Sequence, residues 1–328
     1  MSGVDWQPTA SRHSLEQRAR LLERARSFFA QRRVLEVDTP VVSSHTVTDV
    51  HIHSAEVRFP GVDAPFFLHT SPEYAMKRLL AAGSGDIFQI CHVVRGMERG
   101  RLHNAEFTLV EWYRLGFTLE GLMKEVGELV GELLSCGDGA SARAAPGIEY
   151  LSYRDAFLRE ASLDPFAADL ATLRRSAHEA GFEGASDCSD RDELLDVLMA
   201  THVGPRLGRG TLCFIHRYPA SQAALAQIDP TDPRCALRFE LYCEGIELAN
   251  GFKELASAGD QRARFESDRA TRAARNLPAI AIDERLLAAL EHGLPDCAGV
   301  ALGFDRVAML AMRAQTIDAV LPFPIERA

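Results

Sequence analysis

The stretch from Arg95 to Arg114, RGMERGRLHNAEFTLVEWYR, with the apolar run IFQICHVV before it, constrains the fold most. Two apolar runs around a glycine-punctuated, charged segment read as a strand, a polar loop and a returning strand. Arginines at the mouth of such a loop suit a phosphate, because guanidinium offers a planar fork of donors. His103 and Phe107 lie four apart at the descent into the second strand, where an aromatic ring can stack on a base. Taken alone, the same stretch is equally compatible with a surface hairpin of solvated charges.

A chain of 328 residues can bury one large core or two modest ones. Its formal net charge of −10 argues against a general nucleic-acid binder, which would show a basic surface. The seven cysteines form no C-x-x-C pair, so they read as reduced thiols, mostly small buried hydrophobes. The start, MSGVDWQPTASRHS, holds no apolar signal core, and no stretch approaches the ~18 apolar residues of a membrane span. These features make the cytoplasm the expected location.

Leu15, Ala19, Leu22, Ala25, Phe28 and Phe29 repeat at helical spacing, which predicts an amphipathic helix from about Leu15 to Arg32. VLEVDTPVV then alternates as a strand, with Pro40 near its end. FFLHT (66–70) is a short strand, and Ser71-Pro72-Glu73 opens the helix YAMKRLLAAG. Serine at the N-cap, proline at N1 and an acid in the first turn are ordinary helix-start chemistry. A helix is expected over about Thr118 to Leu134, and a small-residue linker from Cys136 to Gly147. Residues 148 to 208 read as helical, making 136–208 a linker and helical insertion in an otherwise single domain. Strands follow at Leu212 to Tyr218, Leu237 to Tyr242 and Ile246 to Asn250, the last two joined at Cys243-Glu244-Gly245. Residues 262 to 292 read as helical, and Gly299 to Gly303 as a strand leading into the helix FDRVAMLAM. Successive strands with tight turns give an α+β fold with an antiparallel sheet flanked by helices. His45, His51 and His53 lack a fourth ligand and read as surface histidines. Gly83-Ser84-Gly85 lacks the lysine of a phosphate loop and reads as a helix C-terminal turn.

Five ordered words, TSPEYAMKRLLAAGSG, HNAEFTLVEWYR, YPASQAALAQI, GIELANGF and GVALGFDRVAML, resemble the class II aminoacyl-tRNA synthetases, and within them the lysyl subgroup. They run from residue 70 to residue 310, so the resemblance covers nearly the whole chain. The first helix, its strand and Pro40 resemble motif 1, which implies a homodimer. The resemblance implies ATP-dependent activation of an amino-acid carboxylate, with Mg²⁺ on the phosphates. That chemistry needs cationic stabilisation of the α-phosphate, carboxylates for the metal and an aligned nucleophile, with little acid–base work.

By that resemblance Arg95 grips the α-phosphate and Arg306 the γ-phosphate, with helix amides near Gly303 adding to the site. His103 and Phe107 cradle adenine, and Gly96, Met97, Glu98, Asn104, Glu247 and Leu248 complete the nucleotide site. Glu247 is the implied Mg²⁺ ligand, with Glu254 near it. Ser71, Pro72, Glu73, Tyr113, Glu254 and Ala301 are implied to contact the lysyl substrate, and Glu111 is a second acid for that pocket.

Motif 1 begins within the first forty residues, which leaves no room before it for an anticodon-binding OB domain. The layout resembles the short members of the lysyl subgroup, whose acceptor is not tRNA but a lysine ε-amine of elongation factor P, and whose substrate is lysine, preferably (R)-β-lysine. Ala301 stands where true lysyl-tRNA synthetases tend to carry glycine, and a methyl group there reshapes the amino-acid pocket. Two positions depart from the pattern. Gly96-Met97 replaces Asn-Glu after the motif 2 arginine, leaving Glu98 one residue later to take the glutamate's place. Lys253 stands where the short members often have histidine. A minimal tRNA-charging enzyme and a non-catalytic binding paralogue are the alternatives.

Overall fold

The computed structural model describes residues 6–96, 98–136 and 146–328. The first half of the chain forms α1 (Arg12–Gln31), β1 (Leu35–Glu36), β2 (Val42–Ser43), β3 (Glu56–Val57), β4 (Phe66–Leu68), α2 (Glu73–Ala81), β5 (Ile87–Val94), β6 (Glu106–Leu115) and α3 (Leu119–Ser135). The second half continues with β7 (Gly147–Ser152), α4 (Tyr153–Ala161), α5 (Leu170–Glu179), α6 (Arg191–Leu198), β8 (Thr211–Pro219), β9 (Cys235–Cys243), β10 (Ile246–Lys253), α7 (Ala258–Ala274), α8 (Glu284–Gly293), β11 (Cys297–Gly303) and α9 (Phe304–Ala311). The fold is α+β, with mostly antiparallel strands flanked by helices.

The chain divides into two compact units. Unit 1 holds residues up to Thr118, Glu128–Ala145 and Leu255–Ala328; unit 2 holds Leu119–Gly127 and Pro146–Glu254.

In unit 1 the strand order is β1-β5-β6-β11. The β5–β6 hairpin is antiparallel and in register from Ile87↔Tyr113 to Val94↔Glu106. On its other side β6 pairs antiparallel with β11, from Cys297↔Leu115 to Gly303↔Leu109. Only β1 runs parallel, against β5, which the long connection through β2–β4 and α2 permits. The VLEVDTPVV strand is therefore shorter than its alternation suggested. Leu35 and Glu36, both exposed, pair in β1, and Val42 pairs separately in β2.

Helix α1 covers one face. Phe29 stacks on Phe88 at 4.3 Å between ring centroids and meets Trp112 edge-on at 5.2 Å. Strand alternation turns Gln89, Glu111 and Tyr113 to the opposite face. The helix starts at Arg12 rather than Leu15, because the Ser11 hydroxyl accepts from Ser14 N–H at 3.1 Å. Arg18 on α1 pairs with buried Asp305, whose second carboxylate oxygen accepts from Thr108 N–H at 2.7 Å. This buried pair fastens α1 and α9 to β6; removing one partner of such a pair costs about 3–5 kcal/mol. The expected single helix over 262–292 is two, α7 and α8. The chain breaks at Asn276, with φ of 54°, and Asp283 caps α8 through Arg285 and Leu286 N–H.

In unit 2 the order is β10-β9-β8-β7. The β9–β10 hairpin closes on Glu244 and Gly245 with φ of 52° and 75°, the two positive angles of a tight hairpin turn. A Cβ on Gly245 would stand 2.5 Å from the Pro205 carbonyl oxygen, so glycine is required on steric grounds too. The helical reading of 148–208 fails at its start. Residues 147–152 form β7, which pairs parallel with β8 from Gly147↔Thr211 to Ser152↔His216. IEYLS carries the β-branched and aromatic residues of a strand, and the helical pattern begins only after the Ser152 cap. Part of the 136–147 linker lies outside the described residues. Helices α4 to α6 build a core from Tyr153, Phe157, Leu173, Leu194, Leu198 and Ile215. Among the described residues no helix is long and apolar enough to cross a membrane.

Candidate active site

The β5–β6 hairpin brings the nucleotide candidates of unit 1 together. Arg95 follows β5, and its backbone N–H donates to Ala105 O at 2.9 Å, closing the loop neck. Its guanidinium carbon lies 5.2 Å from the Phe107 ring centroid, within cation–π range, and its Nε reaches Thr70 O at 3.4 Å. Arg306, in the first turn of α9, sits 2.7 Å through Nη2 from His103 Nε2 and 3.3 Å through Nε from Leu102 O. Burial, then the Arg306 charge, holds the His103 pKa below 6.5 against a weaker pull from Glu98. The ring is therefore neutral at pH 7, and Nε2 accepts from the guanidinium, which leaves the proton on Nδ1. Gly96 N–H donates to His53 O at 2.7 Å. Glu98 is half-buried in the same loop, and Met97 lies outside the described residues. Asn104 is 3% exposed; its Nδ2 donates to Glu106 O at 2.6 Å and its Oδ1 accepts from Ile325 N–H at 3.0 Å. Gly303 is the N-cap of α9.

The amino-acid candidates of unit 1 converge on Glu111. Ser71 Oγ donates to Glu111 Oε2 at 2.7 Å, and Tyr113 Oη donates to Oε1 at 2.7 Å. Both hydroxyls thus donate to a carboxylate that is 2% exposed, so its oxygens are satisfied by protein donors. Ser71 is not the cap of α2. Pro72 is the N-cap residue, and Ser71 Oγ accepts Glu73 N–H at 3.0 Å. Glu73 pairs with Lys77 Nζ at 2.7 Å, a contact the sequence reading overlooked although its i,i+4 spacing signalled it. Lys77 is 1% exposed, so Glu73 answers a buried cation within its own helix. Ala301 lies directly opposite Glu111 in the β6–β11 register, and Gln89 opposite it on β5, 1% exposed. The methyl group of Ala301 therefore sits beside the carboxylate that Ser71 and Tyr113 hold.

In unit 2 the candidates lie on and just after β10. The register with β9 slips between Glu247 and Ala249, so Leu248 is a bulge residue, buried, while Glu247 pairs with Tyr242 and stays partly exposed. Glu254 is 2% exposed; its carbonyl accepts from Gln227 Nε2 at 2.9 Å, and Lys253 O accepts from Gln227 N–H at 2.8 Å. Behind β10, Arg238 donates to Glu240 Oε1 at 2.5 Å, to Gln222 O at 2.7 Å and to Asn250 Oδ1 at 3.3 Å. Tyr242 Oη completes the network on Glu240 Oε2 at 2.7 Å. Asn250, between the two glutamates, was missed because one asparagine in a strand carries no local signal. Gln222 also reaches Asp196 Oδ1 at 2.8 Å, and burial pushes the Asp196 carboxyl up to about 7. Among the described residues no three His, Cys, Asp or Glu side chains gather as a metal cage. A Mg²⁺ that shares its shell with phosphates needs only one or two carboxylates, and partly exposed Glu247 is a fitting donor. His45 Nδ1 is engaged with Ser44 Oγ at 3.0 Å.

An arginine at a hairpin neck with a ring near it, a second arginine at a helix start and a buried carboxylate between two hydroxyls are the features of the candidate site in unit 1. Residues 2–327 match the family described as tRNA synthetases class II (D, K and N), and the chain belongs to that family. It is similar to a protein of Pectobacterium carotovorum subsp. carotovorum called elongation factor P--(R)-beta-lysine ligase, with 50% identity over 331 aligned residues covering 99% of each chain. A Klebsiella pneumoniae subsp. pneumoniae protein of the same description is 49% identical over 328 residues, 98% of each chain.

Proposed function

We propose that this chain activates lysine, in the form of (R)-β-lysine, with ATP and transfers the lysyl group to a lysine ε-amine of elongation factor P. The observation that carries this reading is the identity of about half over essentially the full length of ligases so described. The site of unit 1 supports it on chemistry. In the first step a carboxylate oxygen of the amino acid bonds to the ATP α-phosphorus as the bond to pyrophosphate breaks. In this reading Arg95 neutralises the charge that builds there, and Arg306 holds the leaving phosphates. Phe107 and neutral His103 offer the base a ring face and a polar edge. Glu111, fixed by Ser71 and Tyr113, supplies the negative charge that a lysyl ammonium needs, and Glu73, already paired with Lys77, keeps the substrate contact the resemblance gives it. Glu247 and Glu254 keep the roles the resemblance gives them, metal ligand and substrate contact. Mg²⁺ would lend charge neutralisation to the β,γ-phosphates. In the second step the acceptor amine bonds to the acyl carbon, AMP leaves and the amine loses a proton. No acid–base triad is required, since both steps rest on positioning and charge. The homodimer implied by motif 1 is part of the same proposal.

The test is intact-mass spectrometry of elongation factor P after incubation with the protein, Mg-ATP and either α-lysine or (R)-β-lysine. A gain of one lysyl unit, faster with the β isomer, is expected. Lysine-dependent ATP–pyrophosphate exchange without any gain on the factor would move the acceptor to tRNA or another amine. Absence of both would leave a binding paralogue.

A further inference from the structure

Among its described residues, the loop of the β5–β6 hairpin is braced from outside. Its inner hydrogen bonds are few: Gly100 and His103 form an isolated bridge, with 3.2 Å between the N–H of each and the carbonyl of the other. Besides Arg306 of α9 and the His53 carbonyl, described above, the loop is held by residues 315–328. Arg99 projects between two carboxylates of that segment. It takes Asp318 with both arms, Nη1 to Oδ1 at 3.1 Å and Nη2 to Oδ2 at 3.0 Å, and Glu326 through Nε. The same guanidinium donates to His103 O at 3.1 Å. Ile317 N–H donates to Arg101 O at 2.9 Å, and Arg101 Nη1 reaches Gln315 O at 3.3 Å. Ile325 N–H donates to Asn104 Oδ1, as described.

The segment is itself anchored from beneath. Ile317, Val320 and Leu321 are buried at 2%, 0% and 6% exposure. Thr9 donates through Oγ1 to Leu321 O at 2.7 Å and through N–H to Pro322 O at 2.9 Å. A segment anchored by its buried apolar residues thus presents acceptors and donors at the surface to a loop with only one bridge of its own. That loop carries Glu98, His103 and Asn104.

We infer that the C-terminal segment, residues 315–328, is a strap that sets the shape of the nucleotide-site loop, with Arg99 and Asn104 as positioning residues that act through Glu98 and His103. This rests on the ATP-using reading of the same site. The physical reason is preorganisation. A glycine-flanked loop free in solution must be ordered when the nucleotide binds, and a strap moves that cost into folding. Exposed ion pairs contribute little singly, but a bidentate pair with a second carboxylate on the same guanidinium adds the geometric constraint that holds a loop.

The test is the double variant Asp318→Asn/Glu326→Gln in the full chain, read in two ways. Hydrogen exchange of the amides of residues 98–105 is expected to speed at least tenfold while that of β5 and β6 is unchanged. In lysine-dependent pyrophosphate exchange, KM for ATP is expected to rise about tenfold, with kcat and KM for lysine within twofold. Arg99→Glu joined to Asp318→Arg and Glu326→Arg restores a pair of inverted sign and is expected to recover most of the KM. Unchanged loop exchange in the double variant overturns the strap, as does a parallel shift of both KM values and of the melting temperature, which marks general loosening. If the unaltered protein shows no lysine-dependent exchange, the enzymatic reading fails, while loop hydrogen exchange still decides the strap.

Discussion

Two hairpins of this chain look alike as sequence and behave differently as structure. β5–β6 and β9–β10 are both antiparallel pairs of apolar runs around a polar, glycine-bearing turn. In the first, the described residues of the 95–105 loop bond outward through their side chains, to α9, to the C-terminal segment and to their own carbonyls. In the second, two residues close the turn and the polar side chains turn inward, where Arg238, Glu240, Tyr242 and Asn250 satisfy one another. A long loop frees its side chains for ligands but needs support from elsewhere. A two-residue turn fixes register by itself and leaves the adjoining strands to hold a buried network.

That contrast predicts loss of function from one hairpin and loss of stability from the other. Arg95→Ala should lower the rate of lysine-dependent pyrophosphate exchange by about 10²–10³-fold, the usual cost of one donor to developing charge, with a melting temperature close to that of the parent. A large fall in melting temperature would mean the β5–β6 neck is structural after all. Gly245→Ala should do the reverse. A positive φ and a 2.5 Å approach to Pro205 O should together cost about 2–4 kcal/mol of stability, measured by urea unfolding. Retained stability would show that the turn tolerates another geometry.

Smaller effects sharpen the difference. Tyr113→Phe takes one of two hydroxyl donors from Glu111 and should raise KM for lysine by a factor corresponding to about 1–2 kcal/mol, with KM for ATP unchanged. The pH dependences should oppose each other. His103 has a folded pKa below its ordinary 6.5, so its contribution is complete above 6.5 and lost as acid protonates the ring beside Arg306. His103→Gln should flatten that acid limb in a pH series of ATP affinity. Asp196 has a folded pKa raised to about 7, so the folded state keeps a proton the unfolded chain gives up near 3.8. Stability from that group declines as pH rises from 3.8 to about 7, and Asp196→Asn should remove the decline in urea midpoints across that window.

Much of this was legible in the residues. The strand–loop–strand around Arg95 was readable because two apolar runs bracket a charged, glycine-rich segment. The turn at Glu244-Gly245 was readable because few pairs tolerate two positive φ angles. β7 was misread because IEYLS is short and borders helices on the sequence side; only pairing with β8 distinguishes a strand there. The α7–α8 break was missed although Asn276 and Pro278 stand between the helices, a pair that ends a helix. Ser71 was placed at a cap on residue type alone, whereas its hydroxyl is shared between Glu73 N–H and Glu111, a partner 40 residues away.

By itself the sequence determined the α+β character, the family, and which side chains carry charge near phosphate-binding words, because those follow from local periodicity, turn chemistry and residue type. Only the tertiary structure decided that Glu111 is held by Ser71 and Tyr113, that Ala301 stands beside it, and that Arg99 is gripped by Asp318 and Glu326, 219 and 227 residues later. Contacts between distant segments depend on strand register and on which acids the folded chain brings within 3 Å of which bases. Nothing in the spacing of residues along the chain records that.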